Sequence, residues 1–174
     1  QDLNECDVVA PVVNEHGILN KGWKIPTPMV DVMLNIPILY KTFQKKFLYY
    51  KDDYYNSKLV NVEVVSGCFF LTKLSVMREI NYFDEKVFLY YEENILGKKI
   101  KDSGYRTCID TRINIIHNHS ITIDKNIKRY NKYKILKQSE YYFQKNYNHA
   151  NIIEKFFLRL TIGISTLMQW LRDR

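Results

Sequence analysis

The sequence predicts an α/β fold, and three observations predict it. Short apolar or β-branched runs recur at Val8–Val13, Val60–Leu71, Tyr105–Asp110 and Ile113–Ile116. Two short helical segments with recognisable ends, Lys73–Ile80 and Glu92–Ser103, fall between the later runs. From about Asn126 to Leu171 the apolar residues follow a helical spacing. At 174 residues the chain can bury a sizeable core without disulfides.

Val8–Val13 reads as a buried strand closed by the turn Asn14-Glu15-His16-Gly17, where Gly17 supplies the positive φ the turn needs. Pro26, Pro28 and Pro37 then interrupt any long helix between Gly22 and Leu39, so a loop-rich region is expected. The stretch Tyr40–Lys58 has no clean period, and its centre Asp52–Asn56 could hold a metal by itself but reads first as a flexible surface loop, because two adjacent carboxylates without a framing strand are unspecific. Val60–Leu71 is a strand pair or one long strand interrupted at Ser66-Gly67, because a glycine inside a strand marks a bulge or a close backbone approach. Thr72 is placed to cap the helix Lys73–Ile80, and Asn81 suits the left-handed residue that ends it. Glu92 and Glu93 open the next helix, where the helix dipole favours negative charge, and Gly104 closes it. The last helix spans about Ile152–Leu171. Its uncharged part, Leu160–Leu171, is 12 residues, against the ~20 that a bilayer requires. It either lies in a membrane interface or packs on the domain, and the sequence leaves both open.

The net charge of +7 is concentrated at one end: residues 1–120 carry 15 basic and 15 acidic side chains, and residues 121–174 carry 11 basic and four acidic. Such an end suits an anionic partner, whether membrane surface, pyrophosphate or nucleic acid; the plainer reading is a solvated helix face. Cys6, Cys68 and Cys108 lack the spacing of zinc ligands or of a disulfide framework, and are expected to be buried or incidental thiols in a reducing compartment. Gln1–Glu15 is polar and acidic, unlike a secretory leader. Its prompt entry into a strand suggests a piece of a longer protein. The Asn118-His119-Ser120 glycosylation pattern is read as chance in that setting.

Chemistry concentrates between Val65 and Ser120. Glu92 and Glu93 follow the apolar and aromatic run Phe88-Leu-Tyr-Tyr91, surroundings that can tune a carboxylate as a general base. His117 ends an isoleucine-rich strand; as neutral imidazole it is either a satisfied structural residue or a ligand for a divalent metal.

In this segment Ser66-Gly67-Cys68, Tyr82-Phe83-Asp84-Glu85, Val87-Phe88-Leu89-Tyr90-Tyr91-Glu92-Glu93, Ser103-Gly104-Tyr105 and His117 stand in a fixed order. That order resembles the second half of the GT-A catalytic domain of family 2 glycosyltransferases, notably the rhamnosyltransferase-like members. The family pattern is a strand with Gly-Ala/Cys, a helix, GFDE, FFLYFED, a helix ending AGY and a strand ending in His; Val8–Gly22 extends the match weakly. The resemblance implies a mixed sheet with flanking helices, residues 1–123 forming the acceptor-side part of the catalytic domain and residues 124–174 a basic helical tail. It implies an inverting transfer from a nucleotide-sugar donor to a glycan or lipid-linked acceptor in surface polysaccharide synthesis, with Mg²⁺ or Mn²⁺ in the complete enzyme. Glu93 takes the position of the family's catalytic aspartate, Glu92 is its acidic neighbour, Gly67, Cys68 and Tyr91 lie on the acceptor side, and His117 stands where relatives supply a metal ligand. Glu for Asp adds a methylene and leaves the base to be chosen between Glu92 and Glu93; Asn81 replaces a glycine, and Ile95 an acid. No Asp-X-Asp nucleotide-binding half precedes residue 65, so this chain alone is expected to be inert, and a cytoplasmic protein peripheral to the inner membrane face is expected. Against this stands a non-catalytic module in which basic residues and the tyrosines from Tyr130 to Tyr147 hold a membrane or single-stranded nucleic acid, although no nucleic-acid partner is expected.

Overall fold

A computed structural model describes residues 2–37, 40–87, 89–117 and 127–173. The glycosylation pattern at Asn118-His119-Ser120 and the side chain of Phe88 lie outside the described residues. Two compact units emerge. The first comprises the described residues of Gln1–Ile25, Tyr49–Glu85 and Glu92–His119, and the second those of Pro26–Leu48, Lys86–Tyr91 and Ser120–Arg174.

The first unit is α/β, with a mixed five-stranded sheet. Its hub is β1 (Val8–Glu15), which turns through His16 and Gly17, both at positive φ, into the short β2 (Ile18–Asn20). On the same edge β1 pairs antiparallel with β4 (Leu71–Thr72), and on its other edge it runs parallel to β5 (Thr107–Ile116). β3 (Leu59–Val62) closes the far side of β5. Pro11 falls between the stretches of β1 that β4 and β2 cover, so its missing N–H costs neither antiparallel neighbour a bond.

β1 is an unbroken apolar run because both its faces are covered. Val8, Ala10 and Val12 enter the main core with Val62, Met77, Leu96 and Ile109, while Val9 packs with Cys6 and Cys108 on the other face. Each fully buried valine contributes about 1.5–3 kcal/mol. Cys6 and Cys108 form a disulfide across a separation of 102 residues, which corrects the expectation that all three cysteines are unpaired thiols. The parallel register sets Val9 beside Cys108 and so carries Cys6 to it; spacing along the chain could not reveal that pairing. Cys68 is a free, exposed thiol.

Two shorter expectations change. The strand signal at Val60–Leu71 resolves into β3 and β4, with the Ser66-Gly67-Cys68 segment between them in turn and irregular backbone. Thr72 does not cap the helix after it, α3 (Leu74–Glu79): its hydroxyl donates to the Asp7 carbonyl at 3.0 Å, and Lys73 holds the cap position without a side-chain bond. Asn81 has the expected left-handed φ of 55°. α4 (Glu92–Asp102) ends before Gly104, at φ 79°.

In the second unit the proline-rich stretch carries no long helix, and Pro28 starts a short one: α1 (Pro28–Leu34) has Pro28 in its first turn, where no N–H is needed, and Thr27 as its N-cap. A short turn of helix, α2 (Tyr40–Phe43), follows. α5 (Arg129–Asn146) and α6 (Ile152–Arg172) are the long elements, and a reciprocal Asn151–Glu154 capping box starts α6. Val32, Ala150 and Leu158 form a small core, Phe143 is fully buried against Tyr91, and a polar network lies beside them. Glu140 accepts from Asn35 and from Lys137, each at 2.6 Å, and Asp31 accepts from Gln144 at 2.6 Å. Burial, then the charge of Glu140, holds the Asp31 carboxyl well above the usual range. No helix among the described residues is long and apolar enough to cross a membrane.

Candidate active site

The carboxyl ends of the parallel strands β1 and β5 bring chemistry-bearing residues together, as open α/β sheets commonly do. Glu15 ends β1, and His117 follows β5 with its N–H donating to the Asn14 carbonyl at 3.0 Å. Ser66-Gly67-Cys68 enters the same unit from the β3 side, and Glu92 and Glu93 form the first turn of α4.

Close backbone approaches hold α4 in place. A Cβ on Gly97 would lie 2.5 Å from the Glu63 carbonyl oxygen, so only glycine lets the helix pack there. Asn94 accepts a 2.9 Å hydrogen bond from the Trp23 indole N–H, and the Trp23 backbone exchanges bonds of 3.0 and 2.9 Å with Val64. Together these fix the helix start that carries Glu93.

The Glu93 carboxyl is mostly buried, and its pKa is pushed up to about 7. Burial is the largest cause, and the charge of Glu92 adds to it; hydrogen bonds from the Glu93 and Gly67 backbone N–H groups offset part of the rise, and Glu15 raises it a little further. A carboxylate so poised accepts a proton efficiently near neutrality. Gly67 leaves room for the acid: a Cβ there would stand 3.1 Å from Glu93 Oε1, so the carboxyl would have to give by a few tenths of an ångström. Glu92 Oε2 is buried without a hydrogen-bond partner. Tyr90 and Tyr91, immediately before the pair, both have φ 65°, a left-handed conformation that costs non-glycine residues roughly 1–3 kcal/mol each.

The structure therefore brings Glu93, Glu92 and Gly67 together. Cys68 is exposed, its sulfur accepting from the Ser66 hydroxyl at 3.4 Å. Tyr91 belongs to the second unit, where its ring packs on Phe143 at 5.5 Å between centroids and its hydroxyl bonds with Asp31. Asp52, in an exposed turn, lies 3.3 Å from Lys21.

Among the described residues no three His, Cys, Asp or Glu side chains gather as a metal site. The metal that the resemblance implies would need ligands beyond the His117 imidazole.

Sequence reasoning missed Glu15, Trp23, Asn94 and Gly97. Gly97 carried a usable signal, since a glycine inside a helical pattern often marks a close approach. Glu15 carried none, because its relevance comes from the pairing of β1 with β5.

The chain matches no known family model, and a comparison with curated proteins likewise returns no match.

Proposed function

We propose that this chain is the acceptor-side part of an inverting glycosyltransferase, with Glu93 as its general base. The observation that carries the reading is the Glu93 carboxyl, buried beside the Gly67 N–H with its pKa pushed up to about 7. The ordered resemblance from Ser66 to His117 supplies the reaction class. In that reaction an acceptor hydroxyl oxygen attacks the anomeric carbon from the face opposite the nucleotide. The bond from that carbon to the diphosphate oxygen breaks with its electron pair leaving on the diphosphate, and the hydroxyl proton passes to a Glu93 oxygen. Glu93 is preferred to Glu92 because it takes the base position of the resemblance and its carboxyl lies against Gly67.

The test is turnover of a panel of nucleotide-sugars, with a divalent cation present, by the longer protein that joins this chain to the nucleotide-binding half the resemblance implies. Glu93→Gln is expected to lower turnover by about two to four orders of magnitude while circular dichroism stays unchanged. Wild-type turnover in that variant removes Glu93 from the role.

A further inference from the structure

The second unit presents an unusual outer surface on α6. The inner side of this helix is satisfied, with Leu158, Ser165 and Gln169 buried. Its outer side carries Ile153, Phe156, Leu160, Ile164, Leu167 and Leu171 at steps of three or four residues, each between 48% and 65% exposed. A continuous apolar ridge of this kind marks an interaction surface.

Beside the ridge, between α5 and α6, runs a groove of about 710 Å³. Lys134, Lys145 and Arg159 line it, all three are exposed, and no carboxylate is among the lining residues. Tyr141 forms part of the wall, with the Arg159 guanidinium 5.1 Å from its ring centroid. An apolar ridge flanked by an uncompensated basic groove has the chemistry of a surface that lies in a bilayer interface, hydrocarbon below and phosphates alongside.

We infer that α6 and its neighbouring groove dock this protein on an anionic lipid bilayer, the ridge entering the acyl boundary and Lys134, Lys145 and Arg159 receiving lipid phosphates. The helix lies along the surface and does not cross it, consistent with the absence of a spanning segment among the described residues. Pairing with a second copy of α6 fits less well. The spacing of Ile153, Leu160 and Leu167 resembles a coiled-coil seam, but Phe156, Gly163, Met168 and Trp170 flank it where pairing helices place charges. The apolar face is thus wider than a two-helix seam and the basic groove would go unused. The inference stands apart from the transferase reading, because it uses no residue of the Glu93 site.

The experiment is co-sedimentation of the intact protein with vesicles of phosphatidylcholine alone or containing phosphatidylglycerol, alongside light-scattering mass without lipid. Binding to the phosphatidylglycerol vesicles only, weakening with salt, is expected. Lys134→Glu, Lys145→Glu and Arg159→Glu together should reduce it by at least about one hundredfold, and Leu160→Ser with Leu167→Ser should abolish it, both variants keeping the wild-type circular dichroism. Equal affinity for both vesicle types, no affinity for either, or a lipid-independent dimer dispersed by the Leu160→Ser, Leu167→Ser change would each overturn the proposal. If the charge variant fails to fold, the salt dependence of the wild-type protein decides.

Discussion

Glu93 Oε1 lies where a methyl group on Gly67 would approach to 3.1 Å, and the Gly67 N–H is also one of the donors to that carboxylate. The same glycine therefore makes room for the acid and partly stabilises its charge. Gly67 is not at positive φ, so Gly67→Ala meets a packing conflict and no backbone one. The variant should fold, with Glu93 displaced by a few tenths of an ångström and turnover reduced. The pH–rate profile checks it: an unchanged acidic limb and rate would show that the contact does not matter.

Glu93 also makes stability depend on pH in a direction that can be stated. Its folded pKa, about 7, lies above the ordinary 4.5. The unfolded chain releases this proton first, so the contribution is complete below about pH 4.5 and is lost as pH rises through about 7. The loss amounts to about 3 kcal/mol. Glu93→Gln removes the titration, so this variant should be more stable than wild type at pH 8 and closely matched at pH 4. Denaturant titrations at both values measure the difference; equal gaps at the two would contradict the buried carboxyl.

The Cys6–Cys108 bond closes a loop of 102 residues, for which the chain-entropy model gives about 4–5 kcal/mol. Under non-reducing, denaturing conditions one thiol, Cys68, should react with Ellman's reagent, and after reduction three should. Reduction should also lower the melting temperature by about 10 °C. Three reactive thiols before reduction would rule the bond out.

Asp31 sits in the second unit with its Oδ1 unpartnered and its carboxyl held well above the usual range by burial and by Glu140. A neutral amide suits such a place. Asp31→Asn should be as stable as wild type or more so at pH 8, while Asp31→Ala, which leaves the buried Gln144 amide without that acceptor, should lose about 1–3 kcal/mol. A large loss in the Asn variant at pH 8 would mean that the wild-type carboxylate is charged there.

Local signals carried the elements well. Val8–Val13 reads as a strand because it is apolar on both faces, the turn at Gly17 because it needs positive φ, and α4 because its first turn is acidic and Gly104 follows it. Signals that depend on distant partners were illegible. Thr72 looks like a cap until Asp7 is beside it, and Cys6 and Cys108 look unrelated until β1 lies along β5. The prolines exclude a long helix between Gly22 and Leu39, but that Pro28 starts a short one needs the first-turn role of proline as well. For the site, sequence supplied the adjacent acids and Gly67; the neighbours that set the carboxyl's pKa, Glu15 among them, required the fold.

The pairing of β1 with β5 is interrupted once. Pro11 lies opposite Asp110, but Val12 lies opposite Asn114, so Thr111, Arg112 and Ile113 are spare on one side. Asp110 is buried and joined to Arg112 at 2.8 Å, and Thr111 is tied to the Lys58 carbonyl at 3.0 Å. The first half of β5 is thus anchored by a disulfide and by β3, whereas the second half takes its register from β1 alone. A change in the length of the looped-out triplet is therefore absorbed where it occurs, while the β1 register and the His117–Asn14 bond are kept, which makes this irregularity a place where β5 tolerates insertion without moving the residue that follows it.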